Sequence, residues 1–180
     1  MQELPKEQAL TFIEPGPVVL VTTFDGERNN VMTISWTMAI DFEQHIVLTT
    51  GAWNYSFRAL MQTRECVVCI PPAPWMEKVV QIGMVSGEDE DKFSKFRLTA
   101  LPAKHVKAPL IEGCIACLEC KVVDYIERYG FVVLHVERVV IDEGVQDRRM
   151  FHAVGDGTFI VDGEHKNFRT LMADKIPEGL

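Results

Sequence analysis

Two small hydroxyls, Thr33 and Ser35, stand two residues apart in the run Asn30-Val31-Met32-Thr33-Ile34-Ser35-Trp36. In extended chain successive side chains alternate between faces, so this spacing sets the hydroxyls side by side. Paired hydroxyls at a strand end suit the oxygens of a phosphate or the edge of a planar heterocycle. The same pattern also describes the solvated face of a hairpin that binds nothing.

The cysteines are the next candidates. Cys66 and Cys69 stand three apart, and Cys114, Cys117 and Cys120 repeat that interval, as thiolate ligands of zinc or iron–sulfur clusters do. Strand geometry argues against convergence: Cys114 and Cys120 would face one way and Cys117 the other. The first pair lies inside Cys66-Val67-Val68-Cys69-Ile70, ahead of Pro71-Pro72, without the glycine turn of a metal knuckle. Free thiols pack as small hydrophobes, so core packing is the reading preferred, with a metal site and a redox pair as alternatives.

His45, His105, His135, His152 and His165 are scattered, with neither a His-x3-His nor a His-Glu-x2-His spacing, so no metal site is signalled. His135 sits within Val132-Val133-Leu134-His135-Val136 and reads as a strand residue. His152, between Met150-Phe151 and Ala153-Val154-Gly155, is placed where a loop side chain can reach a pocket. Glu88 to Asp91 reads as a solvated acidic loop. No Gly-x-Ser-x-Gly elbow, Gly-x-Gly-x2-Gly turn or Gly-Lys-Ser/Thr phosphate loop occurs.

The elements that must position these groups are mostly strands. Pro17 to Phe24 is apolar and β-branched, stops at Asp25-Gly26, and resumes as a second strand through Trp36, which predicts a hairpin. His45 to Thr50, Glu65 to Ile70, Cys117 to Tyr125 and Phe131 to Ile141 read as further strands. Tyr55 to Gln62 and Trp75 to Met84 have helical spacing of apolar residues, the second ending near Gly83. The Ser86-Gly87 loop runs into a short helix at Lys92-Phe93. Asp156-Gly157 and Asp162-Gly163 bracket a small late strand, and Asn167 to Met172 predicts a final helix of one or two turns. Many short strands with a few helices point to a β-barrel.

At 180 residues, 47% apolar and 24% charged, the chain fits one soluble domain spanning residues 1–180. A net charge of −8 disfavours general nucleic-acid binding, which needs clustered cations. No apolar run reaches bilayer length, and Met1 to Glu7 lacks the pattern of a signal peptide; a cytoplasmic protein without membrane contact is expected.

Several segments, taken in order, carry a family resemblance. They are Pro17 to Thr23, Asn30 to Trp36, Ser86 to Phe93, Lys107-Ala108-Pro109-Leu110-Ile111 and Cys117 to Val123, followed by Gly155-Asp156-Gly157-x4-Val161-Asp162-Gly163. The set resembles the flavin reductase-like family of FMN-binding split barrels, and the ending resembles its flavoredoxin branch. The resemblance implies a mainly β fold: a six-stranded antiparallel split barrel with a few peripheral helices, forming a homodimer with FMN near the interface. It implies an FMN-dependent oxidoreductase, either a NAD(P)H-dependent flavin reductase or a flavoredoxin-like carrier served by a redox partner protein. A flavin-binding or storage module without turnover is the alternative, and a cysteine-ligated metal protein a more distant one.

Carried onto this sequence, the FMN contacts fall on Asn30, Val31, Met32, Thr33, Ser35 and Trp36. They continue at the strand–helix junction with Thr49, Thr50, Asn54, Ser56 and Phe57, and in the closing loop with Ser86, Gly87, Lys92 and Phe93. Trp36 or Phe93 would pack on the ring, and Lys92 would supply charge to the phosphate. His152 is the candidate catalytic group at the flavin edge, and no metal ligands are expected. Asn54 stands where the family often has Lys or Arg, which throws the phosphate charge onto Lys92 or Arg58. Cys69 and Cys117 stand where Asn or another small residue is expected.

Overall fold

Asp25 fixes the first turn of the sheet. Its Oδ1 accepts the backbone N–H groups of Glu27 and Arg28, both at 2.9 Å, and Gly26 takes φ 106°. The turn is therefore a four-residue loop closed by an aspartate, and it joins two strands of equal length in full register. The structure is a computed structural model that describes residues 1–13, 15–177 and 179.

In chain order the elements are β1 (Gln2–Leu4), α1 (Ala9–Ile13), β2 (Val19–Phe24), β3 (Asn29–Ile34), β4 (Thr37–Ala39), β5 (His45–Thr49), α2 (Ser56–Thr63), β6 (Glu65–Ile70), α3 (Met76–Gly83) and α4 (Lys92–Lys95). They continue with β7 (Ala100–Leu101), β8 (Leu110–Ile111), β9 (Ala116–Ile126), β10 (Phe131–Ile141), β11 (Phe151–Ala153) and β12 (Phe159–Val161). The main sheet runs β3-β2-β6-β9-β10-β5-β4, antiparallel throughout, with β1 added on β10.

This order makes a split barrel. The end strands β3 and β4 are joined by Ser35 and Trp36 alone, so the two edges of the sheet must curl round to meet. No hydrogen-bonded ladder joins β3 to β4 among the described residues, and this seam is the split. The path holds seven strands rather than the expected six. The second strand ends at Ile34, not at Trp36, because the chain must turn there to reach the opposite edge.

Burial explains why several strands are apolar throughout. Val19 and Val21 on β2, with Cys66, Val68 and Ile70 on β6, join a core fed by all the long strands and capped by α1 and Leu60 of α2. Leu20, Val67 and Cys69 point the other way, into a second core under α3, Leu98 and the 106–117 segment. Strands covered on both faces cannot alternate apolar with polar. The cysteines divide accordingly. Cys66 and Cys120 lie in the first core, and Cys69, Cys114 and Cys117 in the second, all free and buried. Cys114 precedes β9, so it joins Cys117 rather than Cys120, contrary to the alternation expected for a continuous strand.

The late hairpin forms as β11 paired with β12, and its turn carries the positive-φ glycines Gly155 and Gly157. The final helix does not form as expected. Residues 169–172 are turns, followed by one 3₁₀ turn at Ala173–Lys175. No helix among the described residues is long and apolar enough to cross a membrane.

Candidate functional site

Three pieces of chain meet at a cavity of about 270 Å³: the edge strand β3, the N-terminus of α2 and the loop from α3 to α4. Asn30, Met32 and Thr33 come from β3; Trp53, Asn54, Tyr55 and Ser56 from the start of α2. Gly83, Met84, Val85, Ser86, Gly87 and Lys92 complete the wall.

Lys92 dominates the electrostatics. Asp91 caps α4 by accepting the Ser94 N–H at 3.2 Å, which makes Lys92 the first helical residue. Its side chain is only 5% exposed, and its Nζ donates to the Ile82 carbonyl at 3.0 Å. Among the described residues it has no carboxylate partner, and no Asp or Glu lines the cavity. Burial lowers its pKa from 10.5 to about 8. A buried ammonium with donors to spare and no counter-charge is suited to an anionic ligand.

The other donors are fixed by hydrogen bonds. The Asn30 amide donates to Ser56 Oγ at 2.9 Å, and the Asn54 amide donates to Thr50 Oγ1 at 3.0 Å. Thr50 is buried beneath Asn54 and holds it without lining the cavity. The first turn of α2 carries no acidic residue, and Tyr55 contributes no side-chain cap, so this helix end keeps its positive field. Ser86 Oγ accepts the Glu88 N–H at 3.1 Å and shapes the loop. At Gly87 an added Cβ would lie 2.3 Å from the Asn30 amide nitrogen, so a side chain there would push the Asn30 amide off Ser56.

A wider cavity of about 630 Å³ shares Trp53, Asn54, Tyr55 and Ser86 with the first, and is lined also by Phe57, Arg58, Asp25 and Glu88. Arg28 lies 5.4 Å above the Tyr55 ring and hydrogen-bonds its hydroxyl. This second space is larger, but its charges are mixed. The unopposed positive charge lies in the smaller one.

Eight of the residues expected from sequence thus meet in one cavity: Asn30, Met32, Thr33, Asn54, Ser56, Ser86, Gly87 and Lys92. Phe57 lines the adjoining space and packs on Tyr125 at 5.1 Å between ring centroids. The others lie elsewhere. Val31 and Phe93 pack in the second core. Ser35 and Trp36 are exposed at the seam, and the Thr49 N–H donates to the Trp36 carbonyl at 3.1 Å. Thr33 reaches the cavity, but its hydroxyl donates to the Val79 carbonyl at 2.7 Å, tying β3 to α3. His152 lines neither cavity. It is clamped between Asp162 Oδ1 at 2.7 Å and the Gly16 carbonyl at 3.2 Å, which ties the late hairpin to the chain entering β2.

Sequence reasoning passed over Trp53, Tyr55 and the Gly83–Val85 turn. Trp53 carried a signal, since Gly51-Ala52-Trp53-Asn54-Tyr55 sets two aromatics in a strand–helix junction. Its ring lies where a Cβ on Gly51 would be, 2.3 Å away at the nearest atom, so the glycine makes room for it.

Residues 13–156 match the family model of the flavin reductase like domain. An uncharacterized protein of Escherichia coli, YddH, is 30% identical over 176 residues, covering 87% of this chain and 92% of the relative. The crystal structure of an FMN-binding domain of a flavin reductases-like enzyme from Shewanella baltica superposes with a TM-score of 0.83 at 21% identity, over 92% of this chain and 95% of that one. Flavoredoxin of Desulfovibrio vulgaris (Miyazaki F) gives 0.76 at 25% identity, over 84% and 89%.

Proposed function

Because the chain belongs to the flavin reductase-like domain family, we propose that it is an FMN-binding oxidoreductase, a NAD(P)H-dependent flavin reductase or a flavoredoxin-like electron carrier. The single observation that carries the cofactor assignment is Lys92, a buried ammonium without a carboxylate partner among the described residues, at the mouth of a helix N-terminus. An FMN phosphate is a dianion of the size and hydrogen-bonding capacity such a cradle accepts.

In this reading Lys92, Ser56, Asn30 and Ser86 hold the phosphate, with backbone amides of the Gly87 loop and the start of α2. Asn54 orients the cofactor from its seat on Thr50. Lys92 takes the phosphate charge alone, since position 54 carries no cation. The aromatic side chains of Trp53 and Tyr55 line the site at its open side. FMN supplies, when bound, the hydride and single-electron chemistry that none of these side chains can perform. Homodimerisation belongs to the same proposal, and so does supply of electrons by NAD(P)H or by a redox partner protein.

Absorbance spectroscopy of the purified chain, with FMN titration, tests the assignment. The expected result is paired near-ultraviolet and blue bands that leave with FMN on denaturation. A chain that stays colourless and ignores added FMN overturns it. Stopped-flow mixing with NADH and NADPH then divides the activities: bleaching by either supports a reductase, and bleaching by neither leaves a carrier or a flavin store.

A further inference from the structure

The proposed function leaves five cysteines unused, and three of them form a cluster. Cys69 and Cys117 are direct partners across β6 and β9, and their sulfurs lie 3.4 Å apart. The Val122 N–H donates to the Arg64 carbonyl, which fixes the alternation of the ladder and makes Cys69–Cys117 a non-hydrogen-bonded pair. Side chains approach most closely at such pairs, and their Cα separation of about 4.5 Å falls within the range that a disulfide spans. Cys66 and Cys120 are also partners, but their pair is of the hydrogen-bonded kind, where side chains stand further apart.

We propose that Cys69 and Cys117 are a thiol–disulfide redox couple, closed across the β6–β9 ladder by hydrogen peroxide. No large rearrangement is required, because rotation about the side-chain bonds has only to bring sulfurs 3.4 Å apart to a bond of about 2.0 Å. All three thiols of the cluster are fully buried, so the oxidant must be small and neutral, as peroxide is, rather than a bulky disulfide. Burial opposes ionisation throughout the cluster and holds the Cys69 and Cys114 thiols well above their usual range. The Cys117 Sγ donates to Cys69 Sγ at 3.4 Å and to the Ile111 carbonyl at 3.6 Å, and hydrogen bonding within the cluster outweighs burial and holds this thiol below its usual range, so Cys117 is the attacking sulfur.

The chemistry balances in two steps. The Cys117 thiolate attacks one peroxide oxygen, the O–O bond breaks, and hydroxide leaves and takes up the proton lost by Cys117, giving water and a sulfenic acid. Cys69 sulfur then attacks the sulfenic sulfur, the S–O bond breaks, and the departing hydroxide takes the Cys69 proton as a second water. Two thiols lose two electrons, and one peroxide is reduced to two waters. Cys114 has the place of a hydrogen-bond donor to the attacking sulfur and is not a partner in the bond.

The test treats the full-length protein with excess hydrogen peroxide, then denatures it in an alkylating reagent and maps non-reduced peptides by mass spectrometry. The expected result is three alkylated cysteines, a mass lower by two hydrogens before alkylation, and one cross-linked peptide pair joining Cys69 to Cys117. Dithiothreitol should restore all five to alkylation. Cys69→Ala should abolish the link, whereas Cys66→Ala should leave it intact. Five alkylated cysteines after peroxide overturn the proposal, as do oxygen adducts without a link or a link through any other pair. The mapping of the unaltered chain decides the matter even where a variant fails to fold.

Discussion

Lys92 makes the sharpest residue-level prediction. If its ammonium holds the FMN phosphate, Lys92→Met removes a charge-assisted interaction worth about 1.5–3 kcal/mol, and FMN affinity should fall by about tenfold to a hundredfold. Fluorescence titration of free FMN reads this directly, and an unchanged affinity would remove Lys92 from the site. The pH dependence has a definite sign. Folded Lys92 loses its proton near 8, whereas the unfolded chain keeps it to about 10.5, so the unfolded state binds more protons between those values. The unliganded protein should therefore gain stability from this group as pH rises through that window, while FMN affinity declines. Thermal melts and FMN titrations across that range should move in opposite directions. Sequence alone offered Lys92 as a cation through resemblance. Its burial and its want of a carboxylate partner among the described residues come from the packing of α4 on β3 and α3, which no local pattern encodes.

At the level of elements, Glu119 and Arg138 decide whether the 102–109 segment stays folded over β6 and β9. The Glu119 carboxylate is fully buried and accepts the backbone N–H groups of Lys104 at 3.0 Å and His105 at 2.6 Å. Arg138 Nη1 reaches the other oxygen at 2.7 Å, and its Nε reaches Glu3 on β1 at 2.8 Å. Arg138→Leu should cost about 3–5 kcal/mol, because it strands a buried carboxylate. Adding Glu119→Leu should recover little of that loss, since the Lys104 and His105 amides then lose their acceptor. Urea denaturation of the single and double variants checks this; full recovery in the double variant would mean that the loop does not depend on Glu119. Of the strands that carry this network, Phe131–Ile141 was legible in full from its β-branched run and β9 nearly so, as Cys117 to Tyr125, whereas Gln2–Leu4, which carries Glu3, was not. Ser35-Trp36 was not, because strict alternation continues through the residues where the backbone leaves the sheet. The ending of the chain was misread for a related reason: the apolar spacing of Phe168, Leu171 and Met172 suits a helix, yet all three are more than half exposed, so no core holds one in place.

For the whole molecule, the seam bears directly on oligomeric state. Trp36, Met38 and Ile40 share one side of the extended edge around β4, with Phe42 just beyond, and they are 71%, 55%, 45% and 69% exposed. Ala39, pointing the other way, packs on the first core. A row of large apolar side chains on a sheet edge is costly to leave in water, and a second copy of the chain would cover it. The protein should therefore sediment as a dimer, and Met38→Glu with Phe42→Glu should raise the dissociation constant by at least about tenfold while the far-ultraviolet circular dichroism stays unchanged. A monomeric unaltered chain would refute this. The FMN affinity of the double variant then separates two designs. The proposed phosphate cradle is built from β3, α2 and α4 of one chain, so a site complete within that chain keeps its affinity in the monomer. If affinity falls with dimerisation, the flavin ring rests against the partner, and Trp36, which lines neither cavity in a single chain, regains the role at the ring that the resemblance assigned to it.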